Sequence, residues 1–200
     1  VREMNRIGMM IDVSHISDAS FYDVIDCSSK PVVATHSCCR ALTPHPRNMT
    51  DEMIRVLASN GGVIQINFYP LFLDSGFSKI LSDSGIMDYG EKIEEEFIKD
   101  PSDPQKRIAW NRVQDELQAL ARPSFMKIAD HIDHAVQVAG IDHVGLGSDF
   151  DGIEVTPAGL EDISFMPVLL DELSARGYSA SDISKIAGEN FFRVMDVCAR

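Results

Sequence analysis

The sequence predicts an α/β protein built on a parallel sheet, and three observations carry that prediction. Four short apolar runs, residues 9–13, 32–35, 63–68 and 143–147, are distributed along the chain. Segments of helical period lie between them, and uniformly apolar strands linked by helices are those of a parallel sheet covered on both faces. Each run also ends in a residue with chemistry to offer: His15, His36, Asn67 and Asp149. Four βα units make half of a (β/α)8 barrel or a small doubly wound sheet, and in barrels the chemistry sits at the carboxyl ends of the strands.

In chain order, residues 2–6 read as the tail of a helix stopped by Gly8. Residues 9–13 form the first strand, interrupted only by Asp12. Ser17-Asp18-Ala19 caps a helix to about Ser28, with Phe21, Val24 and Ile25 on one face. Lys30-Pro31 ends it, and residues 32–35 are the second strand. A loop with Pro44, Pro46, Arg40 and Arg47 follows. Thr50-Asp51-Glu52 then caps a helix carrying Met53, Ile54 and Leu57, which stops at Asn60-Gly61-Gly62 before the third strand.

Residues 71 to about 108 show no clear core pattern and contain an acidic cluster at 91–96. The stretch at about 71–118 therefore reads as a helical or loop insertion over one face, a lid or binding loop. Phe125, Ile128, Ile132, Ala135 and Val136 mark a long amphipathic helix ending at Gly140, before the fourth strand. Helices at about 163–176 and 181–197 complete the pattern, the second capped by Ser181-Asp182.

The 200 residues suffice for one domain, 1–200, with 44% hydrophobic and 24% charged residues. A net charge of −13 argues against nucleic acid or an anionic membrane surface as partner. No apolar run approaches the length of a transmembrane segment, and residues 1–8 lack the pattern of a signal peptide. Cys27, Cys38, Cys39 and Cys198 show no CxxC spacing and read as buried free thiols. That leans toward a cytoplasmic setting and leaves a periplasmic or membrane-anchored one open.

Two imidazoles, His15 and His36, arrive at equivalent ends of neighbouring strands. Each alone reads as a hydrogen-bonded loop residue; together they suit a metal, since neutral imidazole ligates zinc. A catalytic site needs at least a third ligand and an open position besides. Asp149, within GSDFDG, can take a proton from a metal-bound water and return it, whereas Asp151 reads as a turn former. Arg47 is either solvated or a guanidinium fork for a substrate carboxylate. His131 and His134 lie mid-helix and read as surface or core hydrogen-bonding groups. His143 is structural, and His45 is unassigned.

Together these residues resemble the membrane (renal) dipeptidase family, binuclear zinc peptidases of the amidohydrolase-type barrel. The matching segments are GMMIDVSH, PVVATHS, PHPRNMTDE, GGVIQINFYP, HIDHAVQVAG, GLGSDFDG and GLEDISFMPVLLDELSARGYS with IAGENFFRVM, nearly the whole chain outside about 71–118. The resemblance implies a TIM-barrel fold of which this chain is the C-terminal portion. It implies that His15 and His36 bind the second of two zinc ions and that Arg47 holds the free carboxylate of a dipeptide. Asp149 would shuttle the proton from the attacking hydroxide to the leaving amine. Family members cleave dipeptides, often with a D-residue at the C-terminal position, and some open β-lactams or leukotriene-type dipeptides.

The family's first zinc uses an HxD pair, a bridging glutamate joins the two metals, and a further histidine contacts the scissile carbonyl. All three precede the region matched here. None of the four strand ends carries HxD, the spacing His131-Ile132-Asp133 lying mid-helix, and Glu3 is the one glutamate ahead of His15. The chain is thus expected to supply ligands for one zinc, with a complementing N-terminal half or a second copy as partner. Two rival readings are a metal-dependent amidohydrolase acting on another small amide, such as an N-acyl amino acid, and a non-catalytic half-barrel that pairs with a partner chain.

Overall fold

In the computed structural model, which describes all 200 residues, three parallel strands form the sheet in the order β1 (Val33–Ser37), β2 (Val63–Ile66) and β3 (Val144–Leu146). Val33 pairs with Val63 and Ile64 with Val144. The register slips between Ala34 and Ser37, so His36 sits in the irregular part of β1. Strands covered on both faces explain the uniform apolarity. Ala34, Ile64, Ile66 and Val144 join the main core, whereas Val33 and Val63 pack with Val194 and Cys198.

The expected first strand, 9–13, is corrected to a single parallel bridge between Asp12 and Val33. Val33 N–H donates to the Ile11 carbonyl at 2.9 Å and Val13 N–H to the Val33 carbonyl at 2.8 Å. The next rung would use Thr35 N–H, but that group donates instead to the Asp12 carboxylate. A side-chain acceptor has replaced a backbone one, and the ladder stops there.

The helices are α1 (Arg2–Ile7), α2 (Asp18–Cys27), α3 (Asp51–Ser59), α4 (Pro70–Leu73), α5 (Ser75–Ser84), α6 (Ile86–Lys99), α7 (Pro104–Gln118), α8 (Met126–Ala139), α9 (Met166–Ala175), α10 (Ala180–Ser184) and α11 (Asn190–Ala199). Gly8 closes α1 in the left-handed conformation, and the Ser17 and Thr50 side chains cap α2 and α3 as read from the sequence. Ile54 and Leu57 of α3 and Ile128, Ile132 and Ala135 of α8 are buried in the main core. Each such large aliphatic side chain contributes about 1.5–3 kcal/mol of burial.

One further expectation narrows and another changes. The insertion is helical throughout α4–α7 and carries its own core of Phe77, Leu81, Ile86, Val113 and Leu117, joined by Val155. The C-terminal helix is capped by Ser179, not Ser181. Ser179 and Asp182 form a reciprocal capping box, and a π-helical turn at Lys185–Glu189 separates α10 from α11. All four cysteines are free thiols, with Cys38, Cys39 and Cys198 buried. No helix is long and apolar enough to cross a membrane.

Candidate metal centre and active site

His36 projects from β1, and His15 follows the bridged segment by two residues. Their Nε2 atoms stand 2.7 Å apart, with ring centroids at 4.8 Å. Burial, then the charge of Arg47, holds the His15 imidazole below its ordinary pKa and so favours the neutral form a metal requires. His15 and Asp149 are the two non-glycine residues with positive φ, at 68° and 60°. Such strain persists where surrounding contacts impose it, and it clusters at functional sites.

Asp149 is held by its neighbours. The Asn67 amide, wholly buried, donates from Nδ2 to Asp149 Oδ2 at 3.0 Å and accepts the Tyr69 N–H on Oδ1 at 2.5 Å. Gly152 leaves this carboxylate its place, because a Cβ there would run into Asp149 Oδ1 and displace it. Gly147 brings the end of β3 against β1, since a Cβ would stand 2.0 Å from the Thr35 carbonyl oxygen. The charge of Asp149 reaches both His15 and Arg47, so the four residues read from the sequence share one electrostatic site.

Two arginines of the same loop behave differently. Arg40 spends its fork on both Asp18 oxygens, at 2.7 and 2.8 Å, and on the Asn48 and Pro46 carbonyls. Arg47 lies over the Phe72 ring and reaches only the His36 carbonyl, at 3.5 Å. Its guanidinium is partly desolvated and keeps donors for an anion.

The other histidines are structural. His131 accepts the Cys39 N–H on Nδ1 and bonds the Leu73 carbonyl through Nε2. His134 pairs with Asp51, and His143 bonds the Gly62 carbonyl. His45 accepts the Arg47 N–H and packs on Phe72. Asp133 is committed to Arg176 and Tyr178, so the helical HxD spacing holds no metal.

Asp12 and Thr35 were not singled out in the sequence. Asp12 Oδ1 accepts the Ser14 and Thr35 N–H groups, its Oδ2 meets the Thr35 hydroxyl at 2.5 Å, and Thr35 Oγ1 lies 2.7 Å from His36 Nδ1. An acid inside an apolar run, three residues before a strand-end histidine, was the available signal. Asn67 was noted only as a strand-end residue.

The two converging Nε2 atoms fit one zinc ion. Ligand distances of about 2.0–2.1 Å would set them roughly 3.3 Å apart, a small spreading of the observed pair. No further His, Cys, Asp or Glu joins them in a group of three.

The sequence profile of the membrane dipeptidase family (peptidase family M19) matches residues 1–199. The chain belongs to the membrane dipeptidase family. Among curated members, it is 37% identical over 196 residues to the dipeptidase verJ of Clonostachys rogersoniana, covering 98% of this chain and 39% of that one. It is 36% identical over 193 residues to an uncharacterized dipeptidase of Schizosaccharomyces pombe, covering 96% and 36%. The probable dipeptidase PvdM of Pseudomonas aeruginosa superposes with TM-score 0.76 at 29% identity, over 99% of this chain and 52% of that one. A metallo peptidase of Rhodobacter sphaeroides, liganded with a phosphinate mimic of the dipeptide L-Ala-D-Ala, gives TM-score 0.73 at 28% identity, over 98% and 44%. The chain thus spans well under half the length of these curated membrane dipeptidase relatives, and its sheet and helices are a portion of the family's TIM-barrel fold.

Proposed function

We propose that the protein carrying this chain is a zinc-dependent dipeptidase in which these residues form one arm of the active site. The observation that supports it best is the meeting of four groups: paired His15 and His36 Nε2 atoms, Asp149 and the open guanidinium of Arg47.

His15 and His36 would hold one zinc ion through Nε2, and the remaining ligands would come from outside these 200 residues. Zinc, when bound, polarises a carbonyl and makes water a nucleophile at neutral pH. Arg47 grips the free carboxylate of the substrate, which selects short substrates ending near the site. Asn67 occupies Asp149 Oδ2 and leaves Oδ1 to take the proton of the attacking water and deliver it to the leaving amine. The α4–α7 insertion stands beside the loop after Asp149. A cleft of about 300 Å³ between them is lined by Glu94, Trp110, Asp151 and Glu154. The insertion would serve as the lid over a bound dipeptide.

Asp149→Asn in the full-length protein keeps the Asn67 contact and removes the proton carrier. We expect kcat to fall by about 10²–10⁴, the range for a general acid–base group, with zinc content retained. Near-normal turnover would remove Asp149 from its role. The carboxylate clamp also fits an N-acyl amino acid. A panel of L,L- and L,D-dipeptides against acyl-amino acids separates the two substrate classes, and preference for the latter overturns the dipeptide reading.

A further inference from the structure

We infer that Asp12 and Thr35 are positioning residues that fix the tautomer of His36 and so present its Nε2 lone pair to the metal. This rests on the zinc reading above and deepens it.

The argument counts protons. Asp12 is a carboxylate, which accepts hydrogen bonds and has no proton to give when ionised. The Thr35 hydroxyl at its Oδ2 must therefore donate, and a hydroxyl has one proton. Toward His36 Nδ1, at 2.7 Å, Thr35 Oγ1 can then only accept. Nδ1 carries the ring hydrogen, and Nε2, the atom facing His15, is left with its lone pair.

Carboxylates and carbonyls commonly orient a metal-bound histidine in this way from behind. Here a hydroxyl is interposed, and the acid comes from a different segment of the chain. The same device holds the backbone. Asp12 Oδ1 takes the Ser14 and Thr35 N–H groups, and the His36 N–H donates to Ser14 Oγ at 3.1 Å. The interaction that ends the ladder at residue 12 therefore also joins the two histidine-bearing segments.

Two substitutions act differently on this chain of protons. Thr35→Val keeps the shape and removes the link, which frees the ring to place its proton on Nε2. Asp12→Asn is predicted to invert the relay. The two backbone N–H groups keep the amide oxygen at the Oδ1 position, so the NH2 faces Thr35 and donates to it. The hydroxyl proton then turns to His36 Nδ1 and drives the ring hydrogen onto Nε2.

The test uses the full-length protein, stripped of metal and titrated with zinc against a chromophoric chelator. A long-range ¹H–¹⁵N spectrum of the ¹⁵N-histidine-labelled apo form reads the tautomer. We expect Nδ1-protonated His36 in the parent, a mixture in Thr35→Val and the Nε2-protonated form in Asp12→Asn. Zinc affinity should fall about 10–100-fold in Thr35→Val and Asp12→Asn, the range for lost outer-shell partners, and stay within about threefold in Thr35→Ser, which restores the hydroxyl. Nε2-protonated His36 in the parent, or parental zinc affinity in Thr35→Val, overturns the relay. If one variant fails to fold, the other and the parental tautomer decide. If His36→Ala binds as much zinc as the parent, the metal reading itself fails and the relay falls with it.

Discussion

His15 with His36, and His131 with His134, both bring two imidazoles close together, yet their ring nitrogens are spent differently. In the helical pair every assigned contact is to the protein's own framework: the Cys39 amide, the Leu73 carbonyl and the Asp51 carboxylate. In the strand-end pair the Nδ1 of His36 is anchored and its Nε2 converges on that of His15. The sequence already separated the pairs by position, His131 and His134 mid-helix and His15 and His36 at strand ends. The structure adds that the Nε2 atoms of the strand-end pair meet each other, whereas those of the helical pair are held by the framework.

The sharpest way to break this contrast is to delete one member of each pair in the full-length protein. His36→Ala should abolish high-affinity zinc binding at this position. It should cut kcat/KM by about three orders of magnitude or more, since metal stabilisation of the transition state amounts to several kcal/mol. Zinc stoichiometry and steady-state kinetics would show it.

A second test concerns acid. Burial pushes the His131 imidazole down from 6.5 to about 4, against the Leu73 carbonyl and the Asp130 charge, which favour the protonated ring, and with smaller help from His134 and Lys127. Between these values the unfolded chain binds a proton that the native one does not, so stability rises with pH across this window and is complete above about 6.5. On acidification toward pH 4 this residue alone should cost about 3 kcal/mol, by the usual conversion of pKa shifts. Urea unfolding at pH 7 and pH 5 should show a steep loss that His131→Gln flattens. An unchanged slope would mean that His131 is not buried neutral.

Smaller still, Arg47→Lys should raise KM for a dipeptide about 10–30-fold with little change in kcat, because a point charge replaces a bidentate fork worth roughly 1.5–2 kcal/mol more. The equivalent change at Arg40 should act on stability instead, through Asp18. The smallest effect is expected at His134→Ala. Its partly exposed pairing with Asp51 is worth under about 1 kcal/mol, and zinc binding should not move, as chelator titration can check.

Much of the site was legible because barrel chemistry collects where strands end, and His15, His36 and Asp149 each follow a visible apolar run. Asp12 and Asn67 were harder, since their meaning depends on which partner they meet across a gap of 23 or 82 residues. The helical period at Val113 and Leu117 was legible, but the part of the insertion core before residue 108 was hidden for a similar reason. Phe77 with Leu81 and Val113 with Leu117 are each a single pair four residues apart, and the two pairs meet only after α6 folds back. The start of the last helix was misplaced by two residues because Ser179 and Ser181 both suit a cap; the reciprocal bond from Asp182 selects Ser179.

The left-handed backbone at His15 and Asp149 sets stability and chemistry against each other at the same two positions. At such φ values an L-residue costs about 1–3 kcal/mol that glycine would not. A search for stabilising substitutions would therefore nominate glycine at 15 and 149 early. Retaining a histidine and an aspartate there is a running cost to the fold, and under the proposed function a lineage that no longer needed hydrolysis would be expected to shed these two side chains among the first.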